Sequence, residues 1–127
     1  MRDEPSPGHP DGRVLVVEDD AGIARLTKMV LQDEGFEVVT ATDGAEALLA
    51  VEVVEPDVVV LDLQLPVMDG RSFFRALRAS GRCTPVLIVS AAGSQRARVE
   101  LGAEDALDKP FDIDLLAERV RALARAS

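Results

Sequence analysis

The chain has 127 residues, of which 47% are hydrophobic, enough for one domain with its own core and too many for a generally disordered chain. Its net charge of −9, from 23 acidic and 14 basic residues, disfavours nucleic acid and anionic membranes as direct partners. A single cysteine, Cys83, excludes an internal disulfide framework, and no signal peptide or membrane-length apolar run is predicted. A cytoplasmic location is therefore predicted.

The first twelve residues differ from the rest of the chain. They contain three prolines and two glycines without an apolar period, which predicts a flexible N-terminal tail over residues 1–12. The only histidine, His9, lies in this tail, so histidine-based triads and sites with several histidine ligands are disfavoured. The folded domain is expected to cover residues 13–127.

Five short runs along the domain predict strands. The third run is apolar throughout, which suits a strand buried on both faces in the middle of a parallel sheet. The fifth is the most polar, and we expect it to form a weak edge strand. The five runs are residues 14–17, 36–40, 58–61, 85–89 and 105–108.

Helices are predicted between these strands, because apolar residues recur there at helical spacing. The fourth can be only a short helix, since Gly102 follows it closely. The five helical segments are residues 21–34, the segment after Asp43, residues 71–78, residues 94–101 and the segment after Asp112.

The second helix has a clear start signal. Asp43 is expected to cap it, and Glu46, three residues later, fits a reciprocal capping pair. Leu48, Leu49 and Val53 are predicted to form its inner face.

The alternation of strands and helices, without a long linker, predicts the fold class. It indicates an α/β domain with a doubly wound, five-stranded parallel sheet, right-handed crossovers and helices on both faces. No internal repeat and no second domain are predicted.

Polar groups follow four of the predicted strands. Glu18 and Asp19 come after the first, Asp62 after the third, Ser90 after the fourth and Lys109 after the fifth. In a parallel sheet these ends lie at one edge, where open α/β sheets bind their ligands. Each residue taken alone has a simpler explanation, as a helix cap, a turn residue, a bonded hydroxyl or a solvated charge. Together they indicate a site.

The residue types at this edge indicate a chemistry. Clustered carboxylates need a cation to stay ionised together, and oxygen ligands without cysteine or histidine favour a hard ion such as Mg²⁺. A carboxylate beside such an ion can act as a nucleophile towards a phosphoryl group, and a lysine and a hydroxyl can neutralise the transferred oxygens. The residues alone therefore predict a site for forming an aspartyl phosphate.

Four stretches in this order carry a family resemblance: V-L-V-V-E-D-D, P-D-V-V-V-L-D-L-Q-L-P-V-M-D-G, P-V-L-I-V-S-A and D-K-P-F. From Arg13 to Ala126 the chain resembles the receiver domain of two-component response regulators. The resemblance implies the flavodoxin-like strand order 2-1-3-4-5. It also implies phosphoryl transfer from a sensor histidine kinase or histidine phosphotransfer protein, signalling by contact with a downstream protein, and no turnover of a separate substrate.

The resemblance assigns the metal site residue by residue. Asp62 is the phospho-acceptor and one of the groups around Mg²⁺. Asp19 binds the ion directly, whereas Glu18, where the family often has aspartate, reaches it through water. Gln64 offers its backbone carbonyl.

The resemblance also assigns the phosphoryl contacts. Ser90 would hydrogen-bond a phosphoryl oxygen and Lys109 would pair with it. The Lys109–Pro110 peptide bond is expected to be cis. Asp20 and Asp69 are interpreted as structural, the first as a helix cap and the second as a turn residue.

Two departures from the family pattern concern signalling. Family members usually carry tyrosine or phenylalanine three residues before the lysine, where this chain has Ala106; the ring normally swings inward as the serine or threonine moves. The segment from Ser90 to Lys109 is also roughly three residues shorter than expected, close to one helical turn. The fourth helix should therefore be stunted or irregular, and the output should differ from that of most receivers.

Three other functions stay open at this stage. The departures motivate an interaction module that works without phosphorylation. A Mg²⁺-dependent phosphohydrolase is less favoured, because such enzymes commonly need a second acid where Gln64 stands, and a nucleotide site would need a glycine-rich loop after the first strand. The sequence does not decide between a stand-alone regulator and a piece of a longer protein.

Overall fold

The computed structural model describes residues 11–126 of the chain. Most of the predicted N-terminal tail, including His9, therefore lies outside the described residues. Within them, strands and helices alternate as the sequence predicts. The elements are β1 (Arg13–Val17), α1 (Ala21–Asp33), β2 (Glu37–Ala41), α2 (Gly44–Val54), β3 (Val58–Asp62), α3 (Gly70–Ala79), β4 (Val86–Ser90), α4 (Ser94–Leu101), β5 (Asp105–Asp108) and α5 (Ile113–Ala126).

The strands form one parallel sheet in the order β2-β1-β3-β4-β5, which confirms the doubly wound fold and the strand order implied by the resemblance. All five residues of the central strand β3 are buried. Their register sets Leu61 beside Val17 of β1 and Asp62 beside Val89 of β4. Ser90 lies beside Asp108 of β5. The carboxyl ends of four strands therefore meet at one edge of the sheet.

The apolar run of β3 is explained by a core on each face of the sheet. Because successive strand side chains point to opposite faces, Val59 and Leu61 pack in one layer, while Val58 and Val60 pack in the other. The first layer includes buried residues of α2, α3 and α4, and the second includes buried residues of α1 and α5. The helix residues in these layers are Ala47, Val51, Phe73, Phe74, Leu77 and Ala97 in the first, and Leu31, Leu116, Ala117 and Val120 in the second.

Aspartate carboxylates accept backbone hydrogen bonds at the start of four helices, α1, α2, α3 and α5. The Asp20 carboxylate accepts a hydrogen bond from the backbone N–H of Ile23 at 3.0 Å, which confirms it as the cap of α1. Asp69, predicted as a turn residue, proves to be the cap of α3, because its carboxylate accepts from the N–H of Ser72 at 2.8 Å. α3 accordingly begins at Gly70, one residue before the predicted start.

The reciprocal cap of α2 differs from the predicted pair in one respect. Asp43 accepts from the N–H of Glu46 at 2.8 Å, as expected. The Glu46 carboxylate, however, accepts from the backbone N–H of Thr42 at 2.6 Å, one residue before the cap. Two N–H groups at the start of α2 are satisfied in this way.

The predicted inner face of α2 is wrong in two of its three residues. Leu49 and Val53 are 71% and 81% exposed, whereas Ala47 and Val51 are buried. Only Leu48 packs against the core as predicted. α2 carries apolar residues around most of its circumference, so a helical period in its sequence does not mark one face.

The segment between β4 and α5 matches the predictions made for it. α4 has eight residues, the shortest of the five helices in residues 11–126, and it ends at Leu101 with Gly102 as its cap. β5 lies at the edge of the sheet. The Lys109–Pro110 peptide bond is cis. Across the described chain, none of the helices combines the length and apolar character needed to cross a bilayer.

The face of α2 can be tested with two matched valines. We expect Val51→Ala to lower the free energy of unfolding by about 2 kcal/mol, because it deletes buried methyl groups. Val53→Ala, on the exposed side, should change it by less than about 0.5 kcal/mol. Urea denaturation of both variants measures the difference. Equal decreases in the free energy of unfolding would contradict the burial of Val51 and the exposure of Val53.

Candidate functional site

Three carboxylates meet at the carboxyl edge of the sheet. Asp62 ends β3, and Glu18 and Asp19 directly follow the neighbouring strand β1. One oxygen from each of the three lies within 4.8 Å of the other two. Glu18 and Asp62 are only 3% and 4% exposed, while Asp19 is open to solvent. The edge therefore holds two buried negative charges beside a third that is accessible.

Lys109 is the cation of this site. Its Nζ lies 2.9 Å from Glu18 Oε1 and 3.1 Å from Asp62 Oδ2. Its backbone N–H donates to the carbonyl of Ser90 at 2.7 Å, which ties the start of the loop after β5 to the end of β4. One lysine thus bridges two buried carboxylates, one directly after β1 and the other at the end of β3.

Backbone N–H groups orient both buried carboxylates. Asp62 Oδ1 accepts from the N–H of Gln64 at 3.1 Å, and Glu18 Oε2 accepts from the N–H of Asp20 at 3.2 Å. Each donor lies two residues after its acceptor, a local arrangement that aspartate favours at turns and that Glu18 adopts here as well. The acids consequently present their other oxygens to Lys109.

The loop after β3 is held close to Asp62 by a glycine. The N–H of Gly70 donates to the carbonyl of Leu63 at 3.0 Å. A Cβ atom at Gly70 would lie 2.5 Å from the carbonyl oxygen of Asp62, so no larger residue fits without moving this backbone. The loop also contains Val67, whose φ of 65° is unusual for a β-branched residue.

Ser90 lies next to the acids with its hydroxyl turned away into a loop. It is 5% exposed, and its Oγ donates to the carbonyl of Ala92 at 3.1 Å. A cavity of about 670 Å³ opens beside it, and residues of the β3–α3 loop, including Gln64, line the opposite side. The predicted site residues Ser90 and Gln64 therefore line the same cavity, whereas the three carboxylates are not among its lining residues.

Burial and charge shift two pKa values at the site. Burial raises the pKa of Glu18, and the nearby charge of Asp62 adds to this, against the opposing hydrogen bond from Lys109. For Lys109, burial is the largest single influence and lowers the pKa. The hydrogen bonds to Glu18 and Asp62 together outweigh it and leave the Lys109 pKa raised. The lysine is therefore charged at neutral pH.

The donor set fits a hard divalent cation. All three side-chain ligands in the cluster are carboxylates, and no histidine or cysteine joins them among residues 11–126. Oxygen ligands of this kind suit Mg²⁺. Three carboxylates against one lysine also leave a net negative charge, which a divalent ion would offset.

Ala106, the position where the resemblance implies an aromatic ring, is 1% exposed. Its methyl group packs in the core layer that includes α4. The carbonyl of Ala106 accepts from Gln95 Nε2 at 3.0 Å, so a side chain of α4 bonds directly to the backbone of β5 at this position.

Sequence reasoning missed Gln95 and a second residue, Asp108. The Asp108 carboxylate accepts from the backbone N–H of Ser94, the first residue of α4, at 3.0 Å. Hydrogen bonding from Ser94 lowers the pKa of Asp108. The one available signal was an aspartate placed directly before Lys109, but its partner becomes visible only in three dimensions.

The chain is similar in sequence to known proteins. A family model described as the response regulator receiver domain matches residues 14–121. The transcriptional regulatory protein PrrA of Mycobacterium tuberculosis is 47% identical over 116 residues, which cover 89% of this chain and 50% of that protein. The alkaline phosphatase synthesis transcriptional regulatory protein SphR of Synechococcus elongatus is 45% identical, with 97% and 52% covered. This chain thus spans about half the length of the curated relatives it matches.

Solved structures agree with the sequence comparison. The receiver domain of the Francisella response regulator 1452 superimposes with a TM-score of 0.85 at 38% identity, covering 91% of this chain and 98% of that one. The chemotaxis protein CheY4 of Vibrio cholerae gives a TM-score of 0.80 at 33% identity, with 87% and 97% covered.

Removal of Lys109 tests the electrostatics of the site. We expect Lys109→Met to lower the free energy of unfolding at pH 7, without divalent cations, by about 3 kcal/mol, because two buried carboxylates lose their counter-charge. The loss should be smaller at pH 4.5. Burial raises the pKa of Glu18 above its ordinary 4.5, so the folded variant takes up a proton that relieves the repulsion, and its stability falls as the pH rises through this range.

In the wild type, Lys109 determines how the stability of the fold changes at high pH. Its pKa is raised above 10.5, so the stabilisation from its contacts is present below that pH and is lost as the pH rises through the folded-state pKa. Urea denaturation at pH 4.5 and 7 measures the difference, with Lys28→Met, at the only other lysine, as control. An equal loss for Lys109→Met at both pH values would contradict the expectation.

Proposed function

Because this chain belongs to the family of response regulator receiver domains, we propose that it accepts a phosphoryl group on Asp62 from a phosphorylated histidine of a sensor kinase or phosphotransfer protein. One observation carries the proposal. Asp62 is buried at the end of the central strand, in direct contact with Lys109 at 3.1 Å and beside two further carboxylates.

The transfer is a displacement at phosphorus. A carboxylate oxygen of Asp62 attacks the phosphorus atom of the phosphohistidine, an O–P bond forms and the P–N bond breaks. The imidazole nitrogen keeps the electron pair and takes a proton from solvent. Later attack by water releases inorganic phosphate and restores the Asp62 carboxylate, so no separate substrate is turned over.

Charge on the transferred oxygens requires positive and donor groups close by. Lys109 supplies the positive charge, since its Nζ already contacts Asp62 Oδ2. Ser90 supplies a hydroxyl, which exchanges the Ala92 carbonyl for a phosphoryl oxygen. Ser90 ends β4 and Lys109 directly follows β5, so the sheet positions both groups near Asp62.

Four groups are proposed to hold Mg²⁺: the carboxylates of Asp19 and Asp62, Glu18 through a water molecule, and the backbone carbonyl of Gln64. When bound, the ion would neutralise charge that accumulates between the carboxylates and the phosphoryl oxygens. Glu18 and Asp62 remain oriented by the N–H groups of Asp20 and Gln64.

The phosphoryl donor is proposed to dock on the α1 side of the site. A mostly apolar cavity of about 410 Å³ lies between α1 and the β5–α5 loop, and Lys109 is among its lining residues. Leu26, also in the lining, is 50% exposed, and Met29, one turn along α1, is 55% exposed. An apolar surface beside the acceptor suits a protein donor that must bring an imidazole to Asp62.

We further propose that the domain works in the cytoplasm and passes its signal to another protein or to another part of a longer chain. The net charge of −9 disfavours direct contact of this domain with nucleic acid. Relatives named as transcriptional regulators are about twice as long as the stretch they share with this chain. DNA binding, where it occurs, would then belong to the remainder of such a protein.

An interaction module that ignores phosphorylation is the second candidate. The buried methyl group of Ala106, in place of a ring, favours it. It would be supported if a downstream partner bound the wild type and Asp62→Ala equally, with and without acetyl phosphate.

Phosphorylation is tested with a small-molecule donor. We expect acetyl phosphate and Mg²⁺ to give a retarded band on a phosphate-affinity gel, absent with EDTA. Asp62→Asn should abolish this band. Asp69→Asn is the matched control, because asparagine caps a helix about as well as aspartate and the residue is exposed. A band that persists in Asp62→Asn, or no band in the wild type, would refute the assignment.

Docking is tested by separating protein and small-molecule donors. Leu26→Asp should slow transfer from a phosphorylated histidine donor protein at least about tenfold, a difference of about 1.4 kcal/mol, because it places a charge in the apolar surface. Phosphorylation by acetyl phosphate should not change. Leu49→Asp, an exposed leucine on α2, is the control. Equal rates for both variants with the protein donor would exclude this surface.

A further inference from the structure

We propose that Asp108 and Gln95 couple the phosphorylation of Asp62 to the start of α4, in place of the aromatic ring that this chain lacks at Ala106. The inference rests on the proposed function and extends it from the chemistry of the site to its readout. Three observed contacts carry it, all within residues 90–108.

The first contact compensates for a missing helix cap. α4 begins after Gly93, a residue with φ of 73° that provides no side-chain hydrogen bond. The first N–H groups of a helix have no partners inside it. Asp108, at the end of β5, supplies one by accepting from the N–H of Ser94 at 3.0 Å. The start of α4 therefore depends on a carboxylate from another element.

That carboxylate is joined covalently to the phosphoryl site. Asp108 directly precedes Lys109, whose Nζ contacts Asp62 and whose N–H donates to the Ser90 carbonyl at 2.7 Å. Consecutive Cα atoms are held about 3.8 Å apart, so any movement of the Lys109 backbone that accompanies phosphoryl binding is passed on to Asp108. The displacement reaches α4 through Ser94.

A second contact ties α4 to the other phosphoryl ligand. Ser90 Oγ donates to the carbonyl of Ala92, two residues before α4 begins. When that hydroxyl turns to a phosphoryl oxygen, the Ala92 carbonyl loses its donor. Ser90 and Lys109, the two residues that would bind the phosphoryl group, are thus both connected to the start of α4 in the unphosphorylated protein. Ser90 is connected through Ala92, and Lys109 through its neighbour Asp108.

The third contact lies where the ring would be. Gln95 Nε2 donates to the Ala106 carbonyl at 3.0 Å, and Gln95 Oε1 accepts from Arg98 Nε at 2.9 Å. Because arginine only donates, this pairing sets the orientation of the amide. The buried methyl group of Ala106 has no rotamer to change. A change in the relative position of β5 and α4 is instead registered by the Gln95 amide.

The test is residue-resolved amide hydrogen exchange on the whole chain, before and after phosphorylation with acetyl phosphate and Mg²⁺. Intact mass measures the phosphorylated fraction in the same samples. In the wild type we expect the protection of the Ser94 amide to fall about tenfold on phosphorylation. Asp108→Ala should lose that protection beforehand, so that phosphorylation changes it less than twofold. Gln95→Ala should reduce the response of β5 near Ala106 in the same way.

Two comparisons separate coupling from misfolding. Asp108→Asn keeps an acceptor oxygen and should retain part of the response, and Arg96→Gln, at an exposed position of α4, should behave as the wild type. A full response in Asp108→Ala at equal phosphorylated mass would overturn the proposal. So would a fully phosphorylated wild type with unchanged protection. Wild-type protein without added phosphate mass would instead overturn the proposed function, and the coupling with it.

Discussion

The bridge from Lys109 to Glu18 and Asp62 is the contact on which the site depends. It places one cation between two buried carboxylates that would otherwise repel each other, at 2.9 and 3.1 Å. Removing the lysine leaves the two carboxylates buried without a counter-charge, which is costly in a protein interior. The parallel sheet makes this bridge possible, because parallel strands bring the carboxyl ends of β1, β3 and β5 to one edge. Chemistry and topology are thus linked through a single side chain.

The sequence predicted the elements well because their signals are local. The run over β3 is apolar throughout and ends at a carboxylate, so both the buried strand and its polar end can be read along the chain. The face of α2 could not be predicted, since Val51 and Val53 are the same residue type and only packing decides which is buried. Asp69 was assigned to a turn for a related reason, as aspartate is favoured in turns and in helix caps alike. The strand order was implied by the family resemblance, because the spacing of the elements along the chain does not determine which strands are neighbours.

The acids, Ser90 and Lys109 could be found from sequence because each follows a strand, and parallel strands end together. Asp108 and Gln95 could not, because their roles arise from contacts across 14 and 11 residues with no motif of their own. Ala106 shows the complementary limit. Its departure from the family pattern was plain in the sequence, whereas the α4 side chain that bonds to its backbone emerged only from the fold.

The division of the core into two layers affects when a phosphoryl donor and a receiving partner could bind. α1, with the proposed docking surface, packs with α5 on one face of the sheet, while α4 packs on the other face with α2 and α3. The sheet therefore lies between the helix that would receive a donor and the helix that would report the result. A donor bound at the proposed docking surface would leave α4 uncovered, so a receiving partner would not need to wait for the donor to dissociate. The two encounters would then be able to overlap in time.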